Sequence, residues 1–220
     1  MFTALLKKDL LIELRSKEIV ISMASFGVSV ILLYSFSFNE SPKTFSIFAS
    51  GLLWMVFLFI SVLGLHRSFS LEKEFDAIGL VLSAPVNRSL IFLSKWVSGF
   101  LFLLMAQIII VPLFWLFLAL DIPSQIGLWL LVFIMADLGI AAVGSLVAGI
   151  TLRARMSEVL LPILLFPLVS PLLIAAVKST DALMVGLPFE EWKVWGAIIF
   201  TFVIAFSVTG VLIFDYVSEE

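Results

Sequence analysis

Cysteine is absent from the 220-residue chain, and histidine occurs once, at His66. Without cysteine, neither a disulfide nor a thiolate metal site can organise the protein. A zinc centre needs several nitrogen or sulfur ligands, so the sequence predicts no metal site. Charged residues are also scarce, at 13%, and the net charge of -3 comes with no basic stripe of the kind that binds nucleic acid.

Motifs that serve common catalytic reactions are missing as well. The chain has no G-x-x-x-x-G-K-[ST] sequence to hold nucleotide phosphates, no H-E-x-x-H and no G-x-S-x-G. Asp137 is isolated in an apolar segment, so no paired set of intramembrane acids indicates a proton-coupled antiporter. We therefore expect no catalytic residue, no enzymatic activity and no permanently bound cofactor. Any energy source has to come from a separate protein.

Apolar sequence is what the chain has in abundance. Hydrophobic residues make up 62% of it and the mean hydropathy is +1.23, values typical of an integral membrane protein. A helix needs about 20 apolar residues to cross the bilayer core. Six segments meet this requirement, at about 19–38, 44–65, 96–120, 126–150, 157–177 and 194–214. The predicted fold class is an all-α membrane protein with six transmembrane helices.

The distribution of lysine and arginine predicts the orientation. Ten of the 13 basic residues precede the first span, flank the second and third spans, or follow the fourth span. The other three lie on the opposite side, at Lys43, Lys178 and Lys193. Basic residues concentrate in cytoplasmic loops, so we expect both termini, the His66–Lys95 loop and the turn at Arg153 and Arg155 to be cytoplasmic.

Residues 1–18 are predicted to form an interfacial amphipathic helix, ahead of a six-helix transmembrane domain over 19–220. An apolar residue recurs at every fourth position, away from the basic residues, at Phe2, Leu6, Leu10 and Leu14. The alternative is an ordinary charged N-terminus before a span. Charges recur throughout this stretch without the apolar core of a signal peptide, so we expect the mature protein to begin at Met1.

The polar interval HRSFSLEKEFDAIGLVLSAP, from His66 to Pro85, has a helical pattern of its own. Apolar residues fall on one face at steps of four, three and four, which predicts a helix over about 69–83 that stops at Pro85. So short a helix is marginal alone in water, which favours docking on another protein over a solvated loop. The candidate contact residues are Leu71, Glu72, Glu74, Phe75, Asp76, Ile78 and Gly79.

The fourth span carries small residues at four-residue steps, at Ala141, Ser145 and Gly149, which predicts close packing of helices. The same span contains Asp137. An intramembrane carboxylate is costly, so Asp137 faces the bundle interior, a partner or a cavity if it lies deep, and water if it lies near the outer interface. Both placements are open from the sequence.

The fifth span contains Pro162, Pro167 and Pro171. Each proline removes a backbone donor and disfavours the turn before it, so we expect this helix to be kinked or broken. Broken membrane helices often lie at transport pathways, but they are also tolerated as packing features. The three prolines and Asp137 are therefore candidates for either a pathway or a packing role.

Two stretches resemble the haem exporter protein B (CcmB) family, and the resemblance covers essentially the whole chain. They are GLHRSFSLEKEFDAIGLVLSAPVNRSLIFLSKW, from Gly64 to Trp96, and LLPILLFPLVSPLLIAA, from Leu160 to Ala176. The resemblance implies a fold like that of type-2 ABC exporters, in which a cytoplasmic coupling helix contacts a separate ATPase subunit that binds ATP. His66 stands where we expect an acidic residue before the arginine.

The resemblance also implies partners and a location. In the family, two permease and two ATPase subunits assemble in the bacterial inner membrane with a haem-handling membrane protein and a small single-span subunit. Together they support delivery of haem to a periplasmic haem chaperone. A homodimer surrounded by membrane lipid is thus expected here.

Three functions stay open from the sequence. The chain is a permease for haem, a scaffold that transmits motion to release a haem-loaded chaperone, or a permease for another amphiphile such as a lipid or drug. Direct ligation of haem by His66 is disfavoured, because its charged neighbours place it at the membrane surface. The 22 phenylalanines and six tryptophans are interpreted mainly as lipid-facing or interfacial residues, although some of them are suited to lining a path for haem.

Overall fold

The computed structural model describes residues 1–37, 42–74, 87–151 and 157–217, and every regular element in these ranges is an α-helix. A first helix, α1 (Phe2–Ser16), precedes six longer ones. They are α2 (Glu18–Ser37), α3 (Pro42–Glu74), α4 (Arg88–Leu118), α5 (Ile126–Thr151), α6 (Ser157–Val185) and α7 (Phe189–Val217). Each of the six contains an apolar stretch long enough to cross a bilayer. The predicted all-α, six-span fold is confirmed.

The bundle has two ends. At one end, which we call the base, α2 and α4 begin and α3, α5 and α7 finish, as shown by the ring contact of Phe92 with Phe214 at 5.6 Å between centroids. At the other end, the far end, α2, α4 and α6 finish. There the Ser35 hydroxyl donates to the Phe117 carbonyl oxygen over 3.2 Å.

Two helices extend further at the base than hydropathy predicts. The helix expected to end at about residue 65 continues to Glu74, and the one expected to begin at about residue 96 begins at Arg88, where the Asn87 side chain accepts the Ser89 N–H over 3.1 Å. Residues 69–74 therefore continue α3 instead of opening a separate helix. Polar side chains do not interrupt backbone hydrogen bonding, so the helices extend beyond the ends of the apolar segments.

At the far end, too, two helices extend further than hydropathy predicts. The spans expected to end at about residue 177 and to begin at about residue 194 are longer than predicted, because α6 runs to Val185 and α7 begins at Phe189. Gly186 adopts a left-handed φ of 78°, and the next N–H, from Leu187, bonds to the Ala182 carbonyl over 2.9 Å. A glycine takes this conformation without steric cost, so the chain reverses within a few residues.

The central helix of the bundle is α5, which packs against α3, α4, α6 and α7. Its predicted small-residue face is confirmed as a packing surface, since Ala141 and Ser145 are buried. Glycines on this helix accommodate neighbouring side chains. A Cβ atom at Gly144 would lie 2.2 Å from Leu65 Cδ1, and one at Gly149 would lie 2.5 Å from Phe214 Cε2.

The proline-rich helix α6 is not broken. It runs through Pro162, Pro167 and Pro171 as one continuous α-helix, so the expected break is wrong, whereas the expected kink stays a prediction. Pro171 removes the N–H that would bond to the Pro167 carbonyl, and the Ser170 hydroxyl donates to that carbonyl over 2.9 Å instead. A side-chain donor thus replaces part of the missing backbone bonding, as is common in membrane helices.

Many aromatic side chains form core rather than lipid-facing surface. At the far end, Trp129 stacks on Phe133 at 4.0 Å between centroids, and Phe133 stacks on Trp54 at 4.6 Å. All three are buried. The interpretation of most aromatics as surface residues is therefore incomplete, because hydropathy does not distinguish a lipid-facing ring from one packed between helices.

Candidate functional site at the base of the bundle

A buried ion pair joins α1 to α4 at the base. Lys95 Nζ lies 3.2 Å from each carboxylate oxygen of Asp9, and the side chains are only 4% and 5% exposed. The Ser98 hydroxyl also donates to Asp9 over 3.3 Å. Buried charges require partners of this kind, because removing either charge from water is costly. The pair therefore fixes where α1 lies against α4.

A second acid of α1 caps the next helix. The Glu13 carboxylate accepts the backbone N–H groups of Ile19 and Val20 over 3.1 and 2.8 Å. These N–H groups belong to the first turn of α2, which has no intrahelical acceptors for them. Lys17 makes the sharp turn between the helices with a left-handed φ of 57°. Glu13 thus holds the angle between α1 and α2.

The predicted interfacial helix is therefore anchored by acids as well as by apolar residues. Asp9 and Glu13, one turn apart, are the buried residues of α1, while Leu14 on its predicted apolar line is 62% exposed. An exposed apolar side chain at this position suits contact with lipid, so the interfacial placement stays a prediction. The two most buried residues of α1 are thus acidic, and the apolar Leu5 and Leu10 pack partly buried against the core.

The end of α3 belongs to the same group of contacts. The Lys95 ammonium lies 5.3 Å from the centroid of the Phe69 ring, and Arg67 pairs with Glu18 at the start of α2. His66 lies 3.4 Å from the Ser70 hydroxyl, one turn along α3. We call the Asp9, Glu13, Glu18, Arg67, Phe69, Lys95 and Ser98 group the base cluster. It ties the last turns of α3 to α1, α2 and α4.

The predicted docking residues follow the base cluster directly in sequence. The backbones of Leu71, Glu72 and Glu74 continue α3, and their side chains lie outside the described part. The remaining four lie outside the described residues, namely Phe75, Asp76, Ile78 and Gly79. Their contact with a partner stays a prediction.

A small void lies just inside the base cluster. It has a volume of about 10 Å³, the size of a single water molecule, and its lining includes Ser61, Ser68 and Lys95. Apolar residues of α4 and α5, Leu103 and Ala141, close it on the side toward the bundle centre. The part of the bundle next to the base cluster is therefore closely packed.

Asp137 lies inside the bundle, which decides between the two placements left open by the sequence. Its side chain is fully buried on α5, where the Gln107 amide of α4 donates to Oδ2. Within the described residues Oδ1 has no hydrogen-bond partner. This pair lies one helical turn beyond Leu103 and Ala141, so it is separated from the base cluster.

The three prolines lie away from Asp137. Pro167 and Pro171 are exposed on the outside of the bundle, and Pro162 is partly buried. Within the described part of one copy, none of the three prolines is fully buried. They are placed to contact lipid or another protein.

No metal site is formed within the described ranges, where no three histidine, aspartate or glutamate side chains are grouped. His66 is partly buried at the base and is paired with Ser70.

The base cluster was missed from the sequence. Hydropathy placed Lys95 in a loop, whereas it lies about two turns inside α4. For the acids of α1 the sequence carried no prediction. One signal was available, because Asp9 and Glu13 are spaced four residues apart and therefore lie on one face of the predicted helix.

Comparison with known proteins places the chain in a family. The profile of the family described as "CcmB protein" matches residues 1–217. "Heme exporter protein B" of Rhodobacter capsulatus is 29% identical over 192 residues, covering 85% of each chain. The proteins of the same name from Pseudomonas aeruginosa and Haemophilus influenzae are 25% and 24% identical, covering 88% and 86% of this chain and 86% and 85% of their own. This chain belongs to the CcmB protein family.

Proposed function

We propose that the chain is the membrane subunit of an ABC transporter system for haem in cytochrome c maturation. Its relatives are named haem exporter protein B, and its six spans supply the membrane part of such a system. The chain lacks a phosphate-binding loop, so ATP hydrolysis belongs to a separate ATPase subunit. The chain itself is a transporter component and not an enzyme.

The observation that carries the proposal is the position of the base cluster. It joins α1, α2, α3 and α4 immediately before the segment that we propose as the ATPase contact. In this proposal the ATPase binds Leu71, Glu72, Glu74, Phe75, Asp76, Ile78 and Gly79. Because α3 is one continuous helix to Glu74, a push on this segment acts on the Phe69 and Lys95 contact.

Orientation and assembly form part of the proposal. Ten of the 13 basic residues belong to the base side, which supports a cytoplasmic base and cytoplasmic termini. In this proposal the chain belongs to the bacterial inner membrane. Two copies assemble with two ATPase subunits, a haem-handling membrane protein and a small single-span subunit. The exposed prolines of α6 provide surface for such contacts.

The packing of the bundle interior bears on how the subunit handles haem. Aromatic residues and α5 fill the bundle centre, and the void beside the base cluster is only about 10 Å³. This argues against passage of haem through the centre of one copy, and in this proposal the subunit transmits motion that releases a haem-loaded chaperone. Haem is then handled at the surface of the bundle or by a partner.

The test is co-purification of the ATPase subunit with Phe75→Asp. An unpaired charge in an apolar contact is costly, so we expect this change to abolish co-purification. Phe36→Asp is the matched control, because Phe36 is 78% exposed at the far end. The control should retain the ATPase. An intact complex with Phe75→Asp would show that the docking segment is assigned wrongly.

The same preparation distinguishes haem handling from transport of another amphiphile. We expect a c-type cytochrome haem chaperone to gain haem only when the wild-type complex and ATP are present. ATP-driven movement of a lipid or drug by the complex, with no effect on haem loading, would favour the alternative permease.

A further inference from the structure

A groove runs along the outside of the bundle between α3 and α6, toward the far end. Its volume is about 340 Å³, which is in the range of small-molecule sites. Four residues of α3 and four of α6 line it: Gly51, Trp54, Met55 and Leu58, and Leu173, Ile174, Val177 and Lys178. Both helices cross the membrane, so the groove opens toward lipid.

The lining combines an apolar wall with a single charge. Lys178 is the only charged residue among the eight, and it lies at one end of the run from Leu173 along α6. Its side chain is exposed and forms no ion pair within the described part of the chain. A lysine in this position extends its ammonium toward the headgroup region, where it is available to an anion.

The wall of the groove is formed in advance. The Trp54 indole donates to the Thr180 hydroxyl over 3.1 Å, and its ring stacks on Phe133. Gly51 leaves space, because a Cβ atom at this position would meet no atom within 4 Å. An occupant therefore finds a fixed apolar surface and does not have to displace a side chain at Gly51.

We propose that this groove binds one acyl chain of an anionic glycerophospholipid, whose net negative headgroup pairs with Lys178, whereas the choline cation of phosphatidylcholine offsets the charge of its phosphate. From Gly51 to Leu58 the α3 wall is about 10 Å long and follows the helix axis, as acyl chains do in a bilayer. Stable contacts between proteins bury roughly 1,200–2,000 Å², far more than a groove lined by eight residues offers. The size and the single cation thus favour a lipid over a second copy of the chain.

The experiment is native mass spectrometry of the full-length chain, with phosphatidylglycerol and phosphatidylcholine of equal chain length as probes. We expect one phosphatidylglycerol per chain to be retained about fivefold more strongly than phosphatidylcholine, as expected for one lysine near an anionic group. Lys178→Met should reduce this preference to about one, and Lys178→Arg should keep it. Gly51→Leu should remove the retained lipid by filling the groove.

Gly127→Leu is the matched control, because a Cβ atom at Gly127 also meets nothing within 4 Å and this glycine lies outside the groove. It should leave lipid retention unchanged. If Gly51→Leu does not fold, the exposed Lys178→Met change still tests the headgroup contact. Equal retention of the two lipids by the wild type would overturn the proposal. So would Gly51-dependent binding of haem, or of a second copy of the chain, in place of phospholipid.

Discussion

Breaking the ion pair between Asp9 and Lys95 should destabilise the protein strongly. Both side chains are almost completely buried, so Asp9→Leu removes a carboxylate that pairs with a buried ammonium, and Lys95→Met removes a cation that pairs with a buried carboxylate. Removal of one member of a buried pair costs about 3–5 kcal/mol. The Phe69 ring beside Lys95, and the Ser98 hydroxyl and the partly exposed Lys8 ammonium beside Asp9, replace only part of the lost interaction.

The double variant should behave differently. With both charges gone, Asp9→Leu/Lys95→Met places two apolar side chains in contact. Its free energy of unfolding should lie within about 1 kcal/mol of the wild-type value. The two single costs are then far from additive, and their sum exceeds the double cost by several kcal/mol. The measurement is the free energy of unfolding of the chain in detergent micelles, from a denaturant titration.

Lys8 supplies the matched control for charge removal. Its Nζ lies 3.3 Å from Asp9, but its side chain is 32% exposed. A pair open to water contributes about 0–1 kcal/mol, so Lys8→Met should have little effect. The reasoning is refuted if Asp9→Leu and Lys95→Met each cost less than about 1 kcal/mol, or if their costs add in the double variant.

Three further substitutions test local contacts through the same unfolding measurement. Glu13→Ala removes the acceptor for two N–H groups at the start of α2 and should cost about 1–2 kcal/mol. Gly210→Ala places a Cβ atom 2.0 Å from the buried ring of Phe92 and should cost about 1–3 kcal/mol. Ser170→Ala leaves the Pro167 carbonyl without its side-chain donor and should cost about 0.5–1.5 kcal/mol.

Each of these predictions has a result that contradicts it. Glu13→Gln keeps an acceptor oxygen and should lose less stability than Glu13→Ala, so equal losses would argue against the cap. Gly127→Ala, in open space, should be neutral, and a cost equal to that of Gly210→Ala would remove the steric explanation. A neutral Ser170→Ala would mean that the carbonyl finds another donor.

The six spans were predictable because hydropathy is a local property of the sequence. A run of apolar residues has to be placed in lipid or in a core, whichever helices surround it. Helix ends were less predictable. The extension of α3 to Glu74 and of α6 to Val185 depends on backbone hydrogen bonding, which continues through polar sequence.

The base cluster depends on which helices meet. Asp9 and Lys95 are separated by 86 positions, and nothing in either segment indicates that α1 packs against α4. The depth of Asp137 was unresolved for the same reason, since burial follows from the packing of α5 at the centre of the bundle. The break expected in α6 is absent, and a serine hydroxyl donates to the Pro167 carbonyl, which Pro171 leaves without its backbone donor. The sequence alone did not predict this pairing.

The measurement that tests the central claim most directly is covalent attachment of haem to a c-type cytochrome in cells that lack this chain. We expect attachment to fail without the chain, to return with the wild type, and to stay absent with changes in Glu72–Gly79, although the ATPase subunit still binds nucleotide. The purified chain alone should not hydrolyse ATP. Normal cytochrome c maturation in cells lacking the chain, or ATP hydrolysis by the purified chain, would contradict the account.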